Sequence, residues 1–574
     1  MGSRTQYICL LPVCALLMET SAPAAMLPAQ AQVIYVDRAA AGADSGTSWL
    51  DAFTDLHSAL LVAADGDQVW IAAGEYRTSA VNDPADTFLV TKAIGLYGGF
   101  RGVESRIQDR DPFGAPTVLE GQLQTGNAQH VVTVDTASAA PVLLDRLLIE
   151  QGRSGQGRDG GGVLIAKGAV SVRNCVFRFN EGRQGGAIYC AANASLEVVG
   201  CRFENNSAHA IGGAIHFAGR GGEGLRVAGT TFVRNTASGE GGAIYASHLD
   251  RIEESEFALN SSGYAAGALA VYQRGEGRVL RSDFVGNQTQ NWGGAAQISN
   301  IAFTDVRFQS NTASSGGAVS ATGNVHFDEC RLIENRALSG GAIVVQRWTS
   351  VGLLRSVLQG NQATGGGGAI YSVGGGQNGG GLKAAECRFL GNSCGNSGGA
   401  ILFQSWRLDL SNCLFDLNSA GRGGGAIYMP GAISNQSTLV NLTFVRNTTA
   451  GHGGAIEIGN DFVYDRAQFV NSIFWDNADR IGTGEFSQLS RFATRVKYCA
   501  IQGHSSRGGV GNTGQDPWFV DPGNGDFHLK DISPLIDAGD PVSRRYLLDT
   551  RGRDLDGEIR MYGTAVDIGA DEMQ

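Results

Sequence analysis

Proline is scarce in this 574-residue chain, at 12 residues. Beyond the first thirty positions no stretch reaches about 18 uninterrupted apolar residues, which excludes a membrane-spanning helix in the mature chain. The net charge is −11 and no basic run occurs, so nucleic acid and an anionic membrane surface are poor partners. Metal-knot spacings are also missing, since there is no C-x-x-C and no paired histidine. A sustained 3.6-residue apolar period is absent, and recurrent Gly-Gly pairs would cost a helix about 1 kcal/mol per glycine. Helical repeats are therefore excluded.

Glycine is abundant instead, at 84 residues, and much of it belongs to one recurring formula. An apolar residue is followed three positions later by Asn at Phe177/Asn180, Phe203/Asn206, Phe232/Asn235, Phe257/Asn260, Phe284/Asn287 and Phe308/Asn311. The series continues at Leu332/Asn335, Leu358/Asn361, Phe389/Asn392, Phe415/Asn418, Phe444/Asn447 and Phe474/Asn477, with a mean spacing of 27 residues. After every Asn except the last comes Gly-Gly-Ala-Ile or a near variant, such as Gly212-Gly213-Ala214-Ile215. A fixed period of this length marks a solenoid.

The local alternation is of period two. The residue two after each such Ile is apolar or small in nearly every copy (Cys190, Phe217, Ala246, Val271), whereas the one between varies freely (Tyr189, His216, Tyr245, Ala270). One side of a strand faces a core and the other faces out. The pattern predicts an all-β fold: a single-stranded, right-handed parallel β-helix in which each strand pairs with its equivalent one coil away. Identical residues then stack about 4.8 Å apart. The twelve Asn residues are expected to form an amide ladder and to occupy the left-handed turn conformation. The Gly pairs would make the sharp re-entry into the next strand, and the Phe row would fill the core.

These residues also carry a family resemblance. F-x-x-N alternating with G-G-A-[ILV] resembles the repeat of the polymorphic outer-membrane proteins, a β-helical surface family, over Phe177 to Asn477. "IYVDRAAAGADSGTSWLDAFTDLHSAL" and "YGGFRGVESRIQDRD" are similar to the N-terminal segments of bacterial secreted β-helix proteins. "SPLIDAGD", "DLDGEIR" and "VDIGADE" resemble the C-terminal module named choice-of-anchor Q. The resemblance implies a pectate-lyase-like solenoid and a bacterial surface location. Surface proteins with such repeats end in a membrane β-barrel closing on an aromatic residue. This chain stops at Gln574, so self-secretion is not expected to follow from the resemblance.

The organisation reads as four parts. Residues 1–31 form a signal peptide, with Arg4, an apolar stretch from Tyr7 to Met18 and an Ala29-Gln30-Ala31 cleavage site. Export to the cell surface or medium follows; a lipoprotein reading through Cys14 is disfavoured by the bulky Val13. Residues 32–155 hold a first strand at Val33 to Val36, a short capping helix over Trp49 to Ala64 and irregular coils. Residues 156–480 are the regular repeats. Residues 481–574 are the last coils and a less regular C-terminal cap.

Eight cysteines remain after cleavage, and Cys175, Cys201, Cys330, Cys387 and Cys413 share a repeat position with Ser255, Ser282, Ser356 and Ser472. A slot shared by Cys and Ser is small and inward, which favours buried free thiols, although Cys175 and Cys201 are close enough on adjacent coils for a disulfide.

Chemistry is harder to place. Gly451-His452-Gly453 with Arg495-Val496-Lys497 echoes a polygalacturonase signature, but the acidic motifs that should precede it are missing. A calcium ion would find oxygen ligands at Asp554 and Asp556, two carboxylates before Gly557 that equally make an ordinary turn. The outward row of Tyr189, His216 and Tyr245 would span about 10 Å over two coil steps and suits the C–H face and hydroxyls of a sugar. The reading is a secreted or surface-associated binding and structural protein, adhesin-like, with polysaccharide or surface glycan as the partner. The alternative is a polysaccharide lyase or glycoside hydrolase on the same fold, which fold analogy alone cannot assign.

Overall fold

The computed structural model describes residues 31–573, apart from 112–113, 220–222, 375–379, 432–436, 460–467, 491–495, 506–507 and 542–551. The signal segment and Arg495 lie outside the described residues. The rest is a parallel β-helix of about 15 turns. Each regular coil runs through an Ile-bearing strand, a second strand of Val and Leu, and a Phe-bearing strand. A short fourth edge after the Asn completes the coil.

The registers are those the repeat demands. Ile188 pairs with Ile215, Ile244 and Leu269 on successive coils, and Phe177 with Phe203, Phe232, Phe257 and Phe284. Phe177 and Phe203 stack with ring centroids 4.7 Å apart and planes 4° from parallel. Phe257 and Phe284 do so at 4.6 Å and 2°. In-register pairing dictates this parallel geometry, because each ring has the same rotamer as the one below it.

The Asn ladder is continuous and buried. Its side-chain amides donate from Asn180 to Asn206, on to Asn235, Asn260, Asn287 and Asn311, and from there to Asn335, Asn361, Asn392, Asn418, Asn447 and Asn477. Each step closes at 2.7–3.1 Å. Asn206 is typical: Nδ2 donates to Asn235 Oδ1 at 3.0 Å and to the Phe177 carbonyl at 3.0 Å, while its backbone N–H donates to Asn235 Oδ1 at 3.1 Å.

The left-handed turn expected of these residues is not theirs. None of Asn180, Asn206, Asn235, Asn260, Asn287, Asn311, Asn335, Asn361, Asn392, Asn418, Asn447 and Asn477 has a positive φ. The residue before each of them does. Phe179, Asn205, Arg234, Leu259, Gly286 and Ser310 lie between 53° and 64°, and Glu334, Gly360, Gly391, Leu417, Arg446 and Asp476 between 52° and 63°. The left-handed residue points outward and varies. The Asn turns inward, where its amide replaces the strand-to-strand bonds that the corner interrupts.

The Gly pair divides two tasks. Gly212 sits at φ +66°, and a Cβ on Gly213 would lie 2.0 Å from the Gly242 carbonyl oxygen of the next coil. The first glycine is needed for conformation and the second for close approach.

All eight described cysteines are free and buried. The row that holds Cys175, Cys201, Cys330, Cys387 and Cys413 does more than fill space. Thr230 Oγ1 accepts the Cys201 N–H, Ser255 Oγ the Thr230 N–H and Ser282 Oγ the Ser255 N–H, at 3.1–3.3 Å. Cys201 Sγ accepts the Cys175 N–H in the same way, at 3.4 Å. The slot is a second polar ladder in which a thiol or hydroxyl bridges coils.

The N-terminal helix is shorter than the apolar spacing implies, at Leu56–Val62. Phe53 still pairs beside Val36 as in a strand, its N–H donating to the Tyr35 carbonyl and its carbonyl accepting the Asp37 N–H, and Asp55 caps the helix by accepting the Ser58 N–H. Leu56, Ala59 and Ala63 close the end of the main core, whereas Trp49 packs outside on Tyr35 at 4.9 Å.

The C-terminal region adds a two-stranded antiparallel hairpin, Phe519–Asp521 with Asp526–Leu529. It runs back along the solenoid flank rather than only across its end. Leu535 and Ile568 form a separate apolar cluster with Leu414, Val445, Ile473 and Ala500, the outward residues of four successive coils.

Candidate functional site: an aromatic row on the Ile face

Tyr189, His216 and Tyr245 are in register on the outer side of the Ile-bearing strands. Tyr189 and His216 lie 5.2 Å apart with planes at 80°, and His216 and Tyr245 lie 5.2 Å apart at 88°. The histidine is therefore turned edge-on between two tyrosines instead of joining them in a flat platform. It is 6% exposed, contrary to its expected outward presentation. Burial holds the imidazole pKa down at about 4, so the ring is neutral, and its Nδ1 has no hydrogen-bond partner. Two bulky flanking rings at one coil spacing leave a medium-sized ring no route to solvent.

The row extends further than its periodic positions. Ala270 occupies the next site, and the gap it leaves is filled by Tyr272, two residues on and on the same side of the strand. Tyr245 and Tyr272 lie 6.0 Å apart at 47°. Tyr264 and Trp292 pack edge-to-face beside them at 5.3 Å and 88°. The Tyr272 hydroxyl donates to Glu240, whose half-buried carboxyl is pushed up by desolvation; the hydroxyl is in turn pushed well above the ordinary phenol range by burial and by that carboxylate. At the other end, Arg183 holds Asp159 through two bonds of 2.9 and 3.0 Å beside Tyr189. The repeat formula does not mark Tyr272, Tyr264, Trp292 or Glu240. The signal available for them is the small Ala270 with an aromatic residue two positions later.

Elsewhere in the row the aromatics are isolated. Tyr371 sits between Val344 and Leu402, with its hydroxyl on Gln404 Oε1 at 3.1 Å, and Tyr428 sits between Leu402 and Glu457. His452 is exposed in an ordinary Gly-Gly turn.

The acidic residues of the C-terminal region divide differently. Asp554 is fully buried and accepts three backbone N–H groups, from Asp556, Glu558 and Glu572, at 2.8–3.3 Å. It organises a turn. Asp556 bonds to Arg388 and, at 2.8 Å, to His528. Among the described residues His528, Asp556 and Asp571 are the group that comes close enough to share a metal ion. Hydrogen bonds and charge from Asp526, Asp571 and Asp556 outweigh desolvation and raise His528 to about 9, so the imidazole is cationic at neutral pH. With Arg388 adjacent, these residues fit an ion-pair network better than a calcium site.

Two outward carboxylates near the middle of the solenoid are also paired: Asp328 with Arg355 at 2.6 Å and Asp409 with Arg407 at 2.6 Å.

Comparison with known proteins bears on the repeat and the fold. The profile of the Chlamydia polymorphic membrane protein repeat matches residues 200–218, 229–247, 355–373, 386–404 and 412–430. The crystal structure of pectate lyase Pel9A aligns with 95% of this chain and 96% of its own at 14% identity, with a TM-score of 0.22. No curated protein matches. The coil registers and the repeat profile carry the assignment.

Proposed function

We propose that this chain, a parallel β-helix built from polymorphic-membrane-protein-type repeats, is an exported surface protein that binds glycans through the aromatic row of its Ile face. A surface or structural role fits the repeat and the solenoid. The finer reading rests on one observation: six aromatic side chains from Tyr189 to Trp292 gather on one outer face of consecutive coils, with Glu240 and the Asp159–Arg183 pair alongside. Aromatic rings take the apolar face of a sugar, and fixed carboxylate and guanidinium groups take its hydroxyls. Tyr264 and Tyr272, 46% and 37% exposed, are the members presented to solvent.

The enzymatic alternative gains no support from this face, where the carboxylates serve as partners of Arg183 and Tyr272. Among the described residues no helix is long and apolar enough to cross a membrane.

The test is a glycan array followed by titration of the best ligand into wild type and the Tyr264→Ser/Tyr272→Ser variant. A fall of at least tenfold in affinity with an unchanged melting temperature is expected. Equal affinity in the folded variant would remove this face from consideration.

A further inference from the structure

A second concavity lies on a different side of the solenoid. On the outer side of the second strand, successive coils present Arg251, Arg278, Ala302, His326, Gly352, Lys383 and Asp409 in register. The row carries a ring at His326 and a long side chain at Lys383, and no side chain at Gly352 between them. Ala385, from the neighbouring outward row, is also short. The result is a trough of about 820 Å³ running along the solenoid axis. Its floor includes Gly352, Leu354 and Ala385, and its walls include His326, Trp406 and the Arg407–Asp409 pair.

Three features limit what can occupy it. The backbone groups of these strands are already engaged in coil-to-coil pairing, so no free edge is offered to an extended peptide. The lining charges balance, with Lys383 and Arg407 against Asp328 and Asp409, which disfavours a polyanion. Asp409 is clamped by Arg407 Nε at 2.6 Å and by the Thr438 N–H at 3.0 Å, and Asp328 by Arg355, so the polar groups at the rim are fixed. An apolar floor, an indole and rigid paired ions suit a chain of rings with hydroxyls at their edges.

We propose that this trough is a binding site for a neutral oligosaccharide. His326 to Asp409 spans three coil steps, about 14 Å, or about three sugar rings. The site is independent of the aromatic row and stands whether or not that row binds.

Gly352 provides the test. Its backbone is not left-handed, and a Cβ there would meet Nδ1 of the exposed His326 ring at 2.8 Å, a contact that a turn of that surface side chain relieves. Gly352→Tyr should therefore fill the trough from its floor without entering the core. The intact exported chain is titrated by calorimetry with cellohexaose, xylohexaose and mannohexaose as neutral probes and hexagalacturonate as the acidic one. At least one neutral hexaose should bind. In the Tyr264→Ser/Tyr272→Ser background, where the aromatic row cannot contribute, Gly352→Tyr and, separately, Trp406→Ala should each weaken it at least tenfold. Trp406→Ala decides alone if Gly352→Tyr does not fold. The proposal is overturned if no neutral hexaose binds, if only hexagalacturonate does, or if neutral binding survives the trough variants.

Discussion

Asn235 Oδ1 accepts two hydrogen bonds from a single residue, the backbone N–H of Asn206 at 3.1 Å and the Asn206 side-chain amide at 3.0 Å. Asn235 Nδ2 in turn reaches the Phe203 carbonyl at 3.0 Å. Replacing Asn235 by Leu takes a partner from two donors, the N–H and Nδ2 of Asn206, and from two acceptors, the Phe203 carbonyl and Asn260 Oδ1, in a fully buried corner. At about 1–3 kcal/mol for each unsatisfied group, the loss should be about 3 kcal/mol or more. Tyr428→Thr, on the outer face, should cost much less. Chemical denaturation of the two variants checks this, and equal midpoints would contradict a stacked amide ladder.

The repeat itself supplies a stabilising substitution. Ala266 stands where other coils have the first glycine of the pair, and it is held at φ +58°. Relief of that left-handed strain by Ala266→Gly should outweigh the added chain entropy and stabilise the protein by up to about 1 kcal/mol. Gly267→Ala, one residue on, should do the opposite, because its Cβ would lie 2.1 Å from the Gly294 carbonyl oxygen. Thermal melts of the pair should move in opposite directions.

The two cysteine environments should respond differently to serine. Cys330 belongs to the polar ladder: its N–H donates to Ser356 Oγ at 3.0 Å and its Sγ lies 3.4 Å from the Asp328 carbonyl. Serine makes the same contacts at Ser356 itself, so Cys330→Ser should change stability by less than about 1 kcal/mol. Cys190 points into the apolar core of the Ile face, where burial raises its thiol pKa to about 12. Cys190→Ser should cost roughly 1–3 kcal/mol, because the hydroxyl gains no good partner. Native-state labelling with a thiol reagent should modify neither.

His216 makes stability depend on pH. Its folded pKa is about 4, below the unfolded value of about 6.5, so the unfolded chain binds the extra proton between those limits. Its contribution is complete above about pH 6.5 and is lost as pH falls toward 4, a change of about 3 kcal/mol at most. Asp571 and Glu572 are both raised to about 7 by burial and act in the opposite sense. The informative quantity is therefore the difference between wild type and His216→Gln. That difference should shrink steadily from pH 7 to pH 4.5; a constant difference would place the histidine in solvent.

Much of the scaffold is legible in the sequence because a parallel solenoid writes its geometry directly into spacing. Asn180, Phe177 and Gly185-Gly186 each repeat because the same atom meets its own copy one coil away. The left-handed residue escapes this signal for the same reason. Spacing marks the invariant Asn, whereas the strained neighbour faces solvent and can be Phe179, Arg234 or Leu259. The candidate site is only partly visible. Tyr189, His216 and Tyr245 follow from the register, but the burial of His216 depends on ring orientations that register does not specify. Tyr272 and Trp292 depart from the row and join it only in space. The trough is a feature of what Gly352 lacks, and a missing side chain gives a weak signal among 84 glycines.

The C-terminal module should detach without unfolding the solenoid. Its apolar contact with Leu414, Val445, Ile473 and Ala500 is separate from the continuous core inside the coils. The other links are polar contacts along the flank, among them Ala570 N–H to Thr443 Oγ1 at 2.9 Å, Asp540 N–H to Asn471 Oδ1 at 2.8 Å, Gly569 N–H to the Asn471 carbonyl at 3.0 Å and the bonds of Arg388 to Asp556, Arg446 to the Pro522 carbonyl and Asn412 to the Arg553 carbonyl. Ile568 is buried at the centre of this contact, and Ile568→Asp would place an unpaired carboxylate there. Undocking exposes that charge to water at the loss of one small cluster, whereas opening a coil would break the Asn and Phe ladders together. Limited proteolysis of Ile568→Asp should therefore cut beyond about residue 515 and leave a resistant solenoid with nearly wild-type melting. Cooperative loss of both parts at one lowered temperature would instead make the module an integral cap.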